Sequence, residues 1–326
     1  MPRVLRFLCS LLALAGLTLF LTSCGPRYQA PLTLGSNTWI GYEPLYLARE
    51  LGYYEGHNLR LVELGSTTQA LDALRVGKLD LAALTLDEAL MLRQEQVPIS
   101  VLWVLNISAG ADTVIAQPHI TSLEQLRGKR IGVEQTAVGA YMLDAALRHA
   151  GLQVEDVTIL PMPVDEHVPA WRHRTVDAVV TFDPARQILL NEGGVELLTS
   201  AALPGEIVDV LVARNEVLEC CSARIAALIA GQQRALRHLR DHPEDALQRM
   251  APRQGIPPES VAEALKGVEL PDEAGNRTLL TGQPAPLEHT AQHLASIMNE
   301  RGLLRLPPEK IARLIDPRFA QGPQKP

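Results

Sequence analysis

The sequence predicts an α/β protein built on mixed, mostly parallel sheets and divided into two lobes. Three observations carry that expectation. Short apolar runs alternate with segments of helical periodicity from residue 32 to about residue 213. After an N-terminal leader the chain keeps roughly 300 residues, which suits two compact units better than one core. Composition is that of a folded globular chain, with 47% hydrophobic and 21% charged residues.

The elements follow in order. Leu32–Ser36 predicts a strand, and Pro44–Tyr54 a helix closing on a tyrosine-rich patch. Asn58–Leu64 alternates as a strand, and Thr68–Val76 carries Ala70, Leu71 and Leu74 at helical spacing before Gly77 stops it. Leu79–Leu84 is a buried strand, Asp87–Gln94 a helix and Ile99–Leu105 a strand. A second set starts at Thr113–Ala116, with a short helix Ser122–Leu126, a strand Arg130–Glu134 and a helix Gly139–Ala150 ended by Gly151. Val157–Leu160, Val164–Arg172, Ala178–Thr181, Pro184–Asn191 and Val195–Leu198 continue the alternation. Ile207–Ala213 is a strand that can return to the first sheet. Beyond it the pattern is helical, at Ser222–Asp241, Pro243–Arg253, Pro257–Leu265 and Leu287–Arg301, with a loose tail at Gln321–Pro326. Such βα order favours parallel strands with helices on both faces.

The N-terminus is an export signal. Arg3 and Arg6 precede an apolar run from Phe7 to Leu21, too short and wrongly flanked for a membrane span. The run closes on Leu21-Thr22-Ser23-Cys24, which resembles the bacterial lipobox, so residues 1–23 are expected to be removed and Cys24 acylated. Residues 24–31 would then be a lipidated tether. Of the four cysteines, only Cys220 and Cys221 remain, with no second pair to build a zinc site. A disulfide between neighbours is open to them but strained, and two buried or idle thiols are the simpler reading. A net charge of −7 without a basic stripe argues against nucleic acid.

The run Asn37-Thr38-Trp39-Ile40-Gly41-Tyr42-Glu43-Pro44-Leu45-Tyr46-Leu47-Ala48, followed by Gly52-Tyr53-Tyr54, resembles the opening of the nitrate/sulfonate/taurine family of ABC-transporter substrate-binding proteins, a superfamily that includes thiamine-precursor binders. Gly65-Ser66-Thr67-Thr68, Gly77–Ala82, Ser108–Asp112, Ser122–Val133 and Val176–Pro184 fit the same pattern in order. The resemblance spans about residues 32 to 213. It implies a two-lobe type II periplasmic-binding-protein fold with a C-terminal helical extension. Lobe 1 would comprise residues 32–112 and 206–326, lobe 2 residues 113–205, with hinges near Asp112 and Glu206. It also implies delivery of a solute to a permease and ATPase in the inner membrane.

In open α/β sheets ligands sit beyond the C-terminal strand ends. Those positions select Trp39, Gly41, Tyr42, Glu43, Ser66, Thr67, Thr85, Ser108, Asp112, Thr136, Thr181 and Asp183 as candidate ligand contacts. Hydroxyls and small residues there suit a compact polar solute. Acids dominate: Glu43, Asp87, Asp112, Glu134, Asp183 and Asp209 lie at or beside strand ends, and Arg186 is the nearby base. A bare anion would call for arginine, lysine or free N–H donors, so the expected ligand carries an amine facing Asp112 or Asp183. Any anionic end would rest on the helix N-termini after Ser66 and Thr136. Trp39 and Tyr42 would close over an alkyl part or a cation. Competing accounts stand beside each residue. Trp39 and Tyr42 also fit an interlobe core, Ser66 and Thr67 are ordinary helix caps, Asp183-Pro184 reads as an N-cap followed by proline at N1, and strand alternation leaves the face of Glu134 open.

No catalytic signature competes. His289 and His293 lie four apart on a helix, but His-Thr-Ala-Gln-His lacks the zinc-protease glutamate, and no GxSxG, P-loop or GxGxxG occurs. No metal or cofactor is expected. The same superfamily contains a pyrimidine-forming enzyme with clustered cysteines, and Cys220-Cys221 stands apart from that pattern. The expected molecule is a monomeric periplasmic lipoprotein, with Gly25 rather than aspartate after Cys24 favouring the outer membrane. The alternative is a lipoprotein sensor that reports the same ligand to a membrane signalling protein.

Overall fold

The computed structural model describes residues 30–134, 137–300, 302–305 and 313–321. Residues 1–29, Cys24 among them, and Gln135, Thr136, Arg301, residues 306–312 and the last five lie outside them. Two sheets organise the unit Leu32–Pro326. The first contains β1 (Leu32–Ser36), β2 (Leu59–Glu63), β3 (Leu81–Thr85), β4 (Ile99–Ser108), β10 (Val208–Arg214) and β11 (Val268–Glu269), in the order β11-β4-β10-β3-β1-β2. The second contains β5 (Asp112–Ala116), β6 (Arg130–Val133), β7 (Thr158–Pro161), β8 (Ala178–Phe182) and β9 (Val195–Thr199), in the order β7-β6-β8-β5-β9.

Strands β1 and β3 are buried at every position. The apolar run Leu81–Leu84 of β3 is what a strand covered on both faces selects, whereas β1 buries Thr33 with its hydroxyl donating to Asp80 at 2.8 Å. Parallel pairing is less dominant than the βα alternation implied. It joins β1 to β2 and β3, and β6 to β7 and β8. The strands that carry the chain between sheets pair antiparallel: β10 with β3 and β4, and β5 with β8 and β9. Each enters its new sheet against the direction of the local βα units, and the sheets are therefore mixed.

Helices α1 (Glu43–Glu50), α2 (Thr67–Arg75), α3 (Leu86–Gln94), α4 (Ala137–His149), α5 (His167–Arg172), α6 (Ala185–Asn191), α7 (Ser222–Asp241), α8 (Pro243–Gln254), α9 (Pro258–Leu265), α10 (Glu273–Leu280) and α11 (Pro286–Glu300) account for most of the rest. The first is shorter than its expected span, because the chain turns through Gly52 at φ 72°. Helix α7 buries Ile225, Leu228, Ile229 and Ala235 on one stripe. It passes Tyr54 at Gly231, where a β-carbon would lie 2.4 Å from the ring.

Two elements had no readable signal. The two-residue β11 is too short for periodicity. Helix α10 contains glycine, asparagine and threonine, weak helix formers, and is held by tertiary contact: buried Asn276 accepts from Val104 N–H at 2.7 Å and donates to its carbonyl at 3.0 Å. Its first turn is capped by Asp272, which accepts from Gly275 N–H.

The chain crosses between sheets twice, after β4 and after β9. These crossings are tied to each other. Ser108 Oγ and Ser200 Oγ lie 2.7 Å apart, and Gly110 N–H donates to Ser200 Oγ at 2.7 Å. Gly267 accepts from the N–H groups of Ala109 and Ala111, and a β-carbon on Gly267 would lie 2.8 Å from Ala111 N.

Candidate functional site

Register brings the chemistry together. Asp209 at the start of β10 pairs with Thr85 on one side and Asn106 on the other. Across the gap, Asp112 at the start of β5 pairs with Phe182 at the end of β8. The turn after β1 adds Asn37, Trp39 and Tyr42. Asn37, Trp39, Tyr42, Thr85, Asp112, Phe182 and Asp209 line a narrow cavity of about 20 Å³. A second cavity of about 10 Å³ shares Asp112, Val138 and Phe182 with the first and continues to Glu134, His167 and Thr181.

Each aromatic is held by the opposite wall or the floor. Trp39 meets Phe182 edge to face at 5.3 Å between ring centres, and its indole N–H donates to Asn106 Oδ1 at 3.1 Å. Tyr42 donates its hydroxyl to Asp209. Gly41 lies flat against Asn106, where a β-carbon would fall 2.3 Å from the amide carbon. Glycine is needed there for close approach rather than for φ.

The lobes also meet through Glu134, whose carboxylate accepts from Thr68 N–H at 3.0 Å and Thr68 Oγ1 at 2.6 Å. The helix N-terminus after Ser66, expected to hold a ligand's anionic end, thus carries an acid of the protein itself. Ser66 caps that helix, accepting from Gln69 N–H at 3.3 Å, and Thr67 Oγ1 accepts from Asn37 Nδ2 at 2.9 Å.

Several buried polar atoms around this space lack a hydrogen-bond partner: Asn37 Oδ1, Thr85 Oγ1, Asn106 Nδ2, Asp112 Oδ2 and His167 Nε2. Buried polar groups are normally satisfied, so such a concentration marks where a ligand's donors and acceptors would complete the network. Below it, Asp87 Oδ2 and Glu88 Oε1 are also unpartnered. Among the described residues no lysine or arginine lines either cavity.

Burial sets the titration of these acids. It pushes Asp112 up to about 7, and the negative fields of Asp87 and Asp183 add to that. It raises Asp87 to about 6, Asp183 to about 6 against the pull of Arg186, and Asp209 well above the usual range. His167 moves the other way, down to about 4, because burial disfavours its cation.

A pH dependence follows. Above the ordinary carboxylate value near 4, the unfolded chain has released protons that the folded acids still hold. Folded stability therefore falls as pH rises through about 4 to 7, the window of Asp87, Asp183 and Asp112. His167 opposes this only between about 4 and about 6.5, where its imidazole charges on unfolding. The ligand-free protein is expected to melt at a lower temperature at about pH 8 than at about pH 6. A flat or rising melting profile over that range would contradict the buried, unpaired state of Asp112.

The candidate contacts separate into groups. Trp39, Tyr42, Thr67, Thr85 and Asp112 line the first cavity, and Thr181 lines the second while pairing with His167 Nδ1 at 3.1 Å. Ser66, Gly41 and Ser108 support it from behind, as cap, close-packing point and crossing tie. Thr136 lies outside the described residues.

Two readings change. Glu43 turns away from the cleft: its carboxylate is paired with Arg253 and accepts from Gln254 Nε2 at 2.5 Å, because the first turn of α1 faces α8. Asp183 does not cap α6, whose N-cap is Pro184. It is fully buried beside Arg186 at 3.6 Å, with both oxygens otherwise unpartnered, and lines neither cavity.

Sequence reasoning overlooked Asn37, Asn106 and His167. The strand-end rule would have reached Asn37, one residue after β1, and Asn106, one residue after the strand expected at Ile99–Leu105, which the structure extends to Ser108; His167 has no local signal. His289 and His293 are both exposed on α11.

Comparison with known proteins agrees with this fold. The sequence model of the family described as NMT1/THI5 like matches residues 39–246. The taurine-binding periplasmic protein of Escherichia coli (strain K12) is 24% identical over 237 residues, 70% of this chain and 72% of the relative. A putative aliphatic sulfonates-binding protein of the same organism is 24% identical over 325 residues, 96% of this chain and 98% of the relative. The solved alkanesulfonate-binding protein from Xanthomonas axonopodis pv. citri, bound to MOPS, superposes with a TM-score of 0.72 at 19% identity, covering 84% of this chain and 94% of that one. The shared fold is the two-lobe α/β arrangement of periplasmic binding proteins.

Proposed function

The chain belongs to the NMT1/THI5-like family, and from that premise we propose that it is the solute-binding component of an ABC importer. It captures a small amine-bearing or zwitterionic solute between residues 32–112 with 206–326 on one side and residues 113–205 on the other. Closure about the paired crossings after β4 and β9 would bury the solute, and release would be to a permease and its ATPase. The chain would work from the periplasm, held at a bacterial membrane by lipid on Cys24, without turning its ligand over.

One observation carries the ligand chemistry. Asp112, Asp209, Asp87 and Glu88 are buried in or beneath a cavity that no lysine or arginine lines among the described residues. Asp112 Oδ2, Asp87 Oδ2 and Glu88 Oε1 have no donor; buried carboxylates left so are costly, and an ammonium group would supply both charge and donors. Trp39 and Phe182 would cover the apolar part of the same solute.

The test is a thermal-shift screen against small amines, amino-sulfonates, pyrimidines, nitrate and plain sulfonates. A native-state ligand raises the melting temperature in a concentration-dependent way. Shifts with amines or amino-sulfonates are the expected result. Shifts confined to nitrate or plain sulfonates would retain a solute-binding role and overturn the amine. No shift across the panel, repeated by calorimetry, would count against solute capture.

A further inference from the structure

The remaining thiols occupy a site unrelated to the cleft. Cys220 and Cys221 precede helix α7, with their sulfurs 2.7 Å apart. The pair is asymmetric: Cys220 is exposed and Cys221 buried. Cys220 Sγ also approaches the carbonyl of Val217 at 3.6 Å, which turns it back over its neighbour. Arg224, one turn along α7, places a guanidinium nitrogen 3.0 Å from Cys221 Sγ. That is a cation beside the sulfur that becomes a thiolate or leaving group during exchange.

We propose that Cys220 and Cys221 form a redox-modifiable site, closing reversibly to a vicinal disulfide by exchange with an external disulfide, either a small molecule or an exported protein oxidant. Cys220, after losing its proton to water, attacks one sulfur of the incoming disulfide. A mixed disulfide forms, the incoming S–S bond breaks, and one thiol departs with a proton from water. Cys221 then loses its proton and attacks Cys220 Sγ, expelling the second thiol. Two protein thiols are oxidised to one S–S bond and the external disulfide is reduced to two thiols.

Exposure assigns the order, since only Cys220 is open to a bulky oxidant. Burial, with the neighbouring Cys220 side chain, raises Cys221 to about 11 despite Arg224, which leaves the first attack to Cys220. Adjacent α-carbons about 3.8 Å apart fall short of the usual span of bridged cysteines, so the closed ring is easily reduced. The site is thus a switchable modification rather than a staple.

The experiment is to equilibrate the full chain with mixtures of oxidised and reduced glutathione, then quench and alkylate. The readout is the mass of the tryptic peptide between Arg214 and Arg224, which carries both cysteines and neither Cys9 nor Cys24. The expected product is a peptide lighter by two hydrogens, lacking both alkyl groups and any glutathione, and restored by a dithiol reductant. Cys221→Ser is expected to trap glutathione on Cys220, and Cys220→Ser to leave Cys221 unmodified. If both thiols alkylate independently at every ratio, or if the natural chain accumulates the glutathione adduct instead of the ring, the proposal is overturned.

Discussion

Replacing Asp112 with asparagine is expected to weaken binding of an amine-bearing ligand about 30-fold, or about 2 kcal/mol, the usual worth of a hydrogen bond to a charged group. The change is nearly isosteric. It removes the charge at the junction of the two cavities, where Asp112 is the acid common to both. A second effect has the opposite sign. Without ligand, the variant is expected to melt no lower than the natural protein at neutral pH, and its melting temperature is expected to vary less between about pH 6 and about pH 8, because Asp112 titrates at about 7 in that window.

Calorimetric titration with the screened ligand, alongside melting curves at both pH values, separates binding from folding. Asp183→Asn serves as the comparison, since Asp183 is buried as deeply but lines neither cavity. Unchanged affinity in Asp112→Asn would remove the amine from the proposed ligand.

Replacing Arg253 with methionine is expected to lower folding stability by about 3 kcal/mol, because removing one partner of a buried pair strands the other. Arg253 pairs with Glu43, donates to Glu63 at 2.8 Å and to the carbonyl of Asn37 at 2.8 Å, and stacks 3.5 Å from the Tyr46 ring centre. Its loss would leave the Glu43 carboxyl, already raised by burial, held only by Gln254. The deficit should shrink in acid, where that carboxyl takes up a proton. Arg253→Lys is expected to recover only part of it, since a point charge cannot serve three acceptors and a ring at once. Urea unfolding at about pH 7 and about pH 5 checks both statements. The turn that Arg253 grips through Asn37 also carries Trp39 and Tyr42, so ligand affinity is expected to fall together with stability. Natural stability in Arg253→Met would show that the pair can be lost without cost.

Much of the fold was legible because its signals are local. The continuous run Leu-Ala-Ala-Leu in β3 announces a strand buried on both faces, while Leu-Thr-Leu-Gly-Ser in β1 announces a strand whose burial at every position the structure supplies. The return strand after residue 206 was also readable, and it joins the first sheet as β10. What escaped was held by distant contacts: β11 pairs only two residues with β4, and α10 is fastened by Asn276 to β4, 172 positions away.

The cleft shows the same division. Its acidity, its aromatic rim and its place at strand ends could be read directly, because residue type and position along a strand are local properties. Which acid faces the ligand could not. Glu43 and Asp112 are both acids at element ends, yet Glu43 is matched by Arg253, 210 residues onward, while Asp112 Oδ2 is left without a partner. Asp209 joins the site because antiparallel register sets it between Thr85 and Asn106. By itself, the sequence determined an α/β chain with an acid-rich, aromatic-rimmed set of strand ends. Only the tertiary structure decided which carboxylates are paired, which remain open, and that Glu134 occupies the helix N-terminus at Thr68. The physical reason is that burial and pairing of a charge depend on side chains brought together by sheet register and helix packing, and those partners lie far apart along the chain.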